Sequence, residues 1–249
     1  MAGHSKWANI KHRKAAQDSK RGKVFSHLIK KIGSAARRGG GDPESNTELR
    51  LYLQKAKAAN VPNDNVDRAI LKATGQLEGI SYTDFTYEGY GPGGIAILLE
   101  GSTDNKNRTV AEIRHAFSKA GGNLGENGCV AWMFQAKGIL SVSEDELDDV
   151  DAFMETALEN GAEDFDHEDS VVTVTTDPAD FLTLREAVIA AGVKDFLTDE
   201  ITKVSETDVE PDLKAVLRVM KLIETLEDSD DIENVYHNME ISAEVAEAL

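Results

Sequence analysis

The order of helix and strand patterns between residues 138 and 204 constrains the fold most strongly. Short β-rich apolar runs alternate there with amphipathic stretches, in the order strand, helix, strand, strand, helix, strand. This order is the split βαβ arrangement of ferredoxin-like domains. The predicted strands are 138–142, 162–166, 171–175 and 195–203, and the predicted helices are 145–160 and 178–191.

Residues 80–134 carry an incomplete version of the same pattern. Two β-rich runs joined by a glycine-rich turn predict a hairpin, followed by a helix at Asn107–Ala120 and a strand at Val130–Phe134. A closing helix and strand are missing there, and residues 211–237 have the pattern of one helix and one strand. We therefore predict that the later unit is inserted into a discontinuous domain.

The leading part of the chain reads as helical. Apolar residues from Val24 to Ala36 recur at helical spacing, and the glycines of Gly39–Pro43 end that pattern. Two more helices are predicted at Thr47–Ala59 and from Pro62 to Gly75. The prediction is an α+β multidomain protein with an N-terminal helical bundle and two ferredoxin-like α/β domains, the third inserted in the second. The expected domains are 1–78, then 79–135 with 207–240, then the inserted 136–206, and a loose tail at 241–249.

Charge is distributed very unevenly along the chain. The whole sequence has 27 Lys or Arg, 45 Asp or Glu and a formal net charge of −18. Residues 1–40 hold eleven Lys or Arg and one acid, a net charge of +10, whereas residues 79–249 hold eleven bases and 38 acids. A basic head on an acidic body predicts a polyanionic partner for the head. The acidic body would repel that partner and so orient the head toward it.

The basic head is the first candidate binding site. Lys and Arg neutralise phosphates and release counterions, and an aromatic side chain can stack on a base. The other interpretation is a solvated helix surface with Trp7 packed on the bundle. No recognition helix for base edges can be identified, so backbone binding to DNA or RNA is the prediction. The candidate contacts are Lys6, Trp7, Lys11, His12, Arg13, Lys14, Lys20, Arg21, Lys23, Lys30, Lys31, Arg37 and Arg38.

The glycine-rich turn after the first predicted strand is the second candidate site. Gly89, Gly91 and Gly94 match the dinucleotide-binding string, but a β run rather than a helix follows, which favours a plain hairpin over a nucleotide loop. A recognition surface beside the turn is a further alternative. Its candidate residues are Tyr87, Tyr90, Gly91, Gly93 and Gly94.

Asp104–Arg108 lies where a strand meets a helix, with Asp104 or Asn105 as the expected N-cap. Arg108 and Arg114 are uncommon positive charges in an acidic body, so they are either partners of nearby acids or contacts to a binding partner. Together with the hairpin they form the predicted second contact.

Motifs for catalysis are absent from the sequence: it has no P-loop lysine, no zinc-protease motif, no paired cysteine motif and no nucleophile elbow. No metal site or cofactor is predicted, since the acid-rich stretches lack calcium-loop spacing. Cys129 is interpreted as a core residue, and one cysteine fits a reducing cytoplasm. No apolar run is long enough for a membrane span, and no secretory signal is recognised, so a cytoplasmic location is expected.

Several long motifs together resemble the YebC/PmpR family, over nearly the whole chain and most weakly at residues 145–210. They are Met1–Asn9, His12–Asp18, Lys20–Lys23, Tyr87–Gly94, Asp104–Glu112, Phe117–Asn123 and Tyr236–Asn238. The resemblance implies three domains with the last inserted in the second. It also implies a cytoplasmic DNA-binding regulator of transcription that is not an enzyme.

The same resemblance leaves other ligands open. The mitochondrial relative is a translational activator of cytochrome oxidase, and bacterial members are associated with the ribosome and with relief of stalling at proline-rich stretches. The alternative function is therefore a translation factor that binds ribosomal RNA. Two further hypotheses come from other classes: an enzyme that uses the cleft between the α/β domains, and an adaptor whose acidic body meets a basic protein.

Overall fold

A computed structural model describes residues 21–76, 82–168 and 170–249, with side chains in the first helix described from Val24 onward. The helices are α1 (Arg21–Gly39), α2 (Thr47–Ala58), α3 (Asn63–Ala73), α4 (Lys106–Ala120), α5 (Val150–Glu159), α6 (Phe181–Ala190), α7 (Leu213–Glu227) and α8 (Ala243–Glu247). The strands are β1 (Thr83–Tyr90), β2 (Ala96–Thr103), β3 (Asn123–Leu124), β4 (Phe134–Ser143), β5 (Ala162–Glu168), β6 (Val171–Thr176), β7 (Thr198–Ser205) and β8 (Ile232–His237).

Helices α1, α2 and α3 pack around a shared apolar cluster that includes Leu28, Ile32 and Leu49. Asn46 joins the first two helices: its side-chain oxygen accepts from the Leu49 N–H at 3.0 Å, which caps α2. The amide group of Asn46 also donates to the carbonyl oxygens of Ala35 and Gly40, both at 2.8 Å. One side chain therefore sets the turn between the two helices.

The second sheet confirms the ferredoxin-like prediction for residues 138–204. Its strand order is β5-β6-β4-β7, and every pairing is antiparallel. Counted within the unit, that order is 2-3-1-4, the order that a split βαβ unit produces. Helices α5 and α6 supply buried Phe153, Phe181 and Leu184 to its core. Leu51 of α2 also reaches this core, so the helical domain and the inserted unit share buried apolar surface.

The first sheet has the order β3-β1-β2-β8, again antiparallel throughout. The chain leaves this sheet after β3, builds the second sheet and returns through α7 and β8, which confirms the predicted insertion. Helices α4 and α7 cover one face, where Ile97, Phe117 and Val219 meet in the largest core cluster. We call these two helices the helix layer.

The predicted strand at Val130–Phe134 is wrong: residues Ala131–Met133 form a short 3₁₀ turn, and β4 begins only at Phe134. The reason is that the Glu88 carboxylate accepts the backbone N–H groups of Val130 and Ala131, both at 2.7 Å. Amides bound in this way are not available to a strand ladder. The third strand of the first sheet is instead the two-residue β3.

The predicted helix at 145–160 starts later than expected. Glu144–Glu146 is a 3₁₀ turn, and α5 starts at Val150 because the Asp149 side chain accepts from two N–H groups of the first turn. The expected domain boundary between residues 135 and 136 falls inside β4, whose first residue, Phe134, already pairs with Ser205 of β7.

The loose tail expected at 241–249 is not what the structure shows. Ile241 is fully buried in the core of the first sheet, and α8 follows it, capped by the Ser242 hydroxyl. Sequence alone gave no sign of this because a single isoleucine carries no periodicity.

Replacing Ile241 with Ala should lower the free energy of unfolding by about 2–5 kcal/mol, because a fully buried side chain would leave a cavity. Leu249→Ala is the matched control, since Leu249 is 45% exposed and should change stability by less than about 0.5 kcal/mol. Urea denaturation of both variants measures the difference. Equal, small effects would contradict the docked position of residue 241.

Candidate nucleic-acid interface

Part of the predicted head interface lies outside the described residues, and two further residues, Arg21 and Lys23, lie in α1 with side chains that are not described. Their assignment as phosphate contacts stays a prediction. The residues outside the described ranges are Lys6, Trp7, Lys11, His12, Arg13, Lys14 and Lys20.

Lys30 and Lys31, the next two cations of the head, point into the body of the protein. The Lys30 ammonium donates to the Ser229 carbonyl oxygen at 2.5 Å, just before β8. Lys31 is only 8% exposed, and its ammonium donates to the side-chain oxygen of Asn234 in β8. Both lysines therefore hold α1 against the edge strand of the first sheet.

Arg37 and Arg38, the last two cations of the head, are also used within the molecule. The Arg37 guanidinium pairs with Asp84 at 3.0 Å and with the buried carboxylate of Glu233 in β8. Arg38 pairs with Glu48 of α2 at 2.6 Å and donates to the Ser34 hydroxyl at 2.7 Å. The Arg37 side chain is only 15% exposed, so a phosphate would have to displace its partners to reach it, whereas the Arg38 side chain is 45% exposed.

A polar junction connects α1, the first sheet and the second sheet. Glu100 of β2 accepts from the Lys203 ammonium of β7 at 2.5 Å, from the Tyr236 hydroxyl at 3.0 Å and from the Asn234 amide at 3.4 Å. Burial alone would raise the pKa of the Glu100 carboxyl, but the Lys203 ammonium and then the Tyr236 hydroxyl hold that pKa below its usual range. Because Asn234 also binds Lys31, all three parts of the chain meet at this carboxylate, and we call the set the Glu100 junction.

The glycine-rich turn is a hairpin turn, as the sequence favoured. β1 and β2 pair on either side of a 3₁₀ turn at Pro92–Gly94, and no helix follows. A Cβ added at Gly93 would lie 3.1 Å from Pro211 and 3.2 Å from Ala215, so the turn packs against the start of α7. Gly94 faces open space and has a φ of +78°, a conformation that favours glycine.

The two tyrosines beside the turn have intramolecular partners. Tyr87 packs against Phe85 with ring centroids 4.8 Å apart, and it borders the main core cluster. The Tyr90 hydroxyl donates to the Cys129 carbonyl oxygen at 3.1 Å. Their assignment as a recognition surface stays a prediction.

Arg108 is held by acids of its own chain, whereas Arg114 is exposed on α4. Asn105 caps α4, as expected, and accepts from the Arg108 N–H at 3.1 Å. The Arg108 guanidinium binds Asp231 at 2.8 Å and Asp104 at 2.9 Å. The hydrogen bond to Asp231 raises the pKa of Arg108. This ion pair links the start of α4 to the residue that precedes β8.

Sequence reasoning missed the role of Glu88 and the position of Trp132. The buried Glu88 carboxylate accepts the N–H groups of Gly128, Val130 and Ala131 at 2.6, 2.7 and 2.7 Å. This clamp shapes the turn that carries Trp132, whose side chain is 67% exposed and whose indole N–H donates to the Cys129 carbonyl oxygen. Glu88 directly follows Tyr87 in β1, and nothing in that local sequence indicates that its carboxylate binds a turn forty residues later.

Neither a metal site nor a membrane helix is found in the part of the chain that the structure describes. No group of three or more His, Cys, Asp or Glu side chains there is arranged to hold a metal ion. No helix within 21–76, 82–168 and 170–249 is both long and apolar enough to cross a bilayer.

Two family models match the chain. The N-terminal domain of the TACO1/YebC protein matches residues 5–76, and the TACO1/YebC second and third domain matches residues 82–239. The chain belongs to the YebC family.

YebC relatives match along the full length. A probable transcriptional regulatory protein of Halothermothrix orenii is 55% identical over 251 residues, covering 100% of this chain and 99% of the relative. A probable transcriptional regulatory protein of Geobacter sulfurreducens is 52% identical and covers 100% of both chains. The crystal structure of a conserved hypothetical protein from Aquifex aeolicus is similar with a TM-score of 0.78 and 41% identity, covering 90% of this chain and 92% of that one.

Replacing Glu88 with Gln should destabilise the protein by about 2 kcal/mol at neutral pH, because hydrogen bonds to a carboxylate are stronger than those to an amide. Burial acts to raise the pKa of Glu88, yet the three N–H donors bring it below its usual value. A lowered pKa stabilises the fold above about pH 4.5, and this contribution is lost as pH falls through the folded-state pKa. The stabilities of wild type and variant should therefore converge in acid.

Thermal unfolding between neutral pH and the acid range measures this convergence. Glu126→Gln is the control, because Glu126 is an exposed acid in the same turn and should have little effect at any pH. A constant difference between Glu88→Gln and wild type across the range would contradict the clamp.

Proposed function

We propose that this YebC-family chain is a non-enzymatic, DNA-binding regulator of transcription that acts in the cytoplasm. The names of its relatives support the regulatory role, since those from Halothermothrix orenii and Geobacter sulfurreducens are called probable transcriptional regulatory proteins. The charge of the first forty residues supports the nucleic-acid ligand: +10 in a chain of −18.

The internal ion pairs divide the head into two parts with different roles. Lys30, Lys31, Arg37 and Arg38 bind partners in the protein and attach α1 to its surroundings. The other seven head cations all precede residue 24, with Asp18 as the only acid among them. The proposed phosphate contacts are therefore Lys6, Lys11, Arg13, Lys14, Lys20, Arg21 and Lys23, with Trp7 and His12 beside them.

The acidic body favours this orientation. Residues 79–249 hold 38 acids against eleven bases, and this charge repels a phosphate backbone from most of the surface. Attraction at the leading segment and repulsion over most of the body would orient the molecule with its leading segment toward the duplex. Binding through phosphates alone is independent of sequence, so target choice would come from further contacts.

Reversing five head charges tests the proposal. In the full-length chain, Lys11, Arg13, Lys14, Lys20 and Arg21 are replaced by Glu, and binding to a fluorescent DNA duplex is measured by anisotropy at several salt concentrations. If wild type neutralises about six phosphates, the logarithm of its affinity should fall with the logarithm of salt at a slope of about −5. The variant should lose binding because its head is no longer cationic.

Lys194→Glu is the control, because Lys194 is an exposed lysine of the inserted unit and should leave binding unchanged. Circular dichroism shows whether each variant keeps its fold. An RNA helix of equal length is measured in parallel, since ribosomal RNA is the alternative ligand. Undiminished DNA affinity in the five-fold variant would overturn the assignment of the head, and a marked preference for the RNA helix would overturn DNA as the ligand.

A further inference from the structure

Cations of the acidic body are concentrated on the helix layer. Residues 79–249 contain eleven Lys or Arg, and seven of them lie on α4 and α7. They are Lys106, Arg108, Arg114, Lys119, Lys214, Arg218 and Lys221. The same two helices carry only three acids, Glu112, Glu224 and Glu227, so the layer is positive within a strongly negative body.

The positive charge is confined further, to one half of each helix. Residues 113–123 and 213–223 contain no Asp or Glu, and between them they hold five of the seven bases. All five are exposed, and none forms an ion pair with another residue of the described chain. Arg108, at the opposite end of α4, differs because it is held by two aspartates. We call the five the helix-layer patch: Arg114, Lys119, Lys214, Arg218 and Lys221.

Packing brings these two half-helices together. The Arg218 guanidinium of α7 lies against Gly121 at the end of α4, where an added Cβ would overlap it. At the other end, Arg108 and Glu112 of α4 line the same cavity as Thr225 and Asp228. The helices are therefore antiparallel neighbours, and the second half of α4 lies beside the first half of α7.

Helix electrostatics do not account for the patch. Lys119 in the last turn of α4 is placed favourably, since helix C-termini attract cations. Lys214 is the second residue of α7, where the helix dipole disfavours a positive charge, and the acid at this end, the N-cap Asp212, accepts from the Ala215 N–H instead of forming an ion pair with Lys214. Solubility does not require these cations either, because the chain already carries a net charge of −18. A cluster kept at an electrostatic cost is typical of a binding surface.

We propose that the helix-layer patch binds the phosphate backbone of duplex DNA as a second contact, separate from the head. Lys214 and Lys221 are seven residues apart on one helix, about 10 Å along its axis. A span of this length can face more than one phosphate of a DNA strand, since phosphates follow one another at about 3.4 Å of rise along the duplex axis. The adjoining hairpin turn adds the open backbone of Gly94 near the start of α7. The proposal rests on the nucleic-acid-binding function proposed above and adds a contact surface on α4 and α7 to it.

Neutralising the three patch cations of α7 tests whether the patch binds DNA. In the full-length chain, Lys214→Gln, Arg218→Gln and Lys221→Gln are combined, and anisotropy with a fluorescent DNA duplex is measured between about 50 and 200 mM salt. The salt slope should become shallower by about three, one phosphate for each removed charge. Affinity at low salt should fall at least about tenfold.

The matched control keeps every charge: Lys214→Arg, Arg218→Lys and Lys221→Arg together should retain both slope and affinity. Circular dichroism and melting temperature report folding. If the triple Gln variant unfolds, the single Lys221→Gln variant replaces it, with an expected slope change of about one.

The outcomes separate the two proposals. If the Gln variant binds DNA with the same affinity and the same salt slope as wild type, the assignment of the patch is overturned and the assignment of the head still stands. Equal loss in the charge-preserving control would also overturn the patch, because the contact would then not be one of charge. Absence of DNA binding by wild type would overturn both.

Discussion

Attachment of α1 to strand β8 is the contact on which the arrangement of the molecule depends. Lys31, Arg37 and the Glu100 junction place a cationic helix against the acidic edge of the first sheet. A buried carboxylate such as Glu233 is costly without a partner, so losing Arg37 would leave an uncompensated charge. The same contact uses three of the eleven head cations, Lys30, Lys31 and Arg37, so fewer cations of the head are free to bind a ligand than the sequence suggests.

The two α/β units form similar four-stranded sheets from different chain paths. The inserted unit follows the ferredoxin-like order directly, from β4 to β7. The first sheet reaches the equivalent arrangement from two separate stretches, with β8 supplied after the insertion. This return brings α7 beside α4, and it places Arg218 against Gly121 at the end of α4 although about a hundred residues separate them. The topology therefore creates a charged surface that no local segment contains.

Fold prediction succeeded where a pattern was local and failed where a side chain from elsewhere intervened. Helices α2 and α3 follow apolar spacing and their flanking Asn and Pro residues. The turn at Ala131–Met133 was predicted as a strand from its apolar residues. It is not a strand because the Glu88 carboxylate, about forty residues earlier, binds backbone amides that a strand ladder would need. Ile241 was predicted to lie in a tail because a short segment has too few residues to show an apolar periodicity, although the side chain is buried against the first sheet. For the site, the sequence identified Arg114 but not its four neighbours in the helix-layer patch.

The sequence by itself determined the number of α/β units, the insertion, the hairpin and the contrast between a basic head and an acidic body, since these follow from periodicity and composition. Only the tertiary structure decided which cations face outward. Lys30, Lys31, Arg37 and Arg38 resemble the other head residues in sequence, yet they bind within the protein, and Lys214, Arg218 and Lys221 stay on the surface. The physical reason is that a charge is neutralised by whatever lies within a few ångströms of it, and that neighbourhood is set by packing rather than by position in the chain.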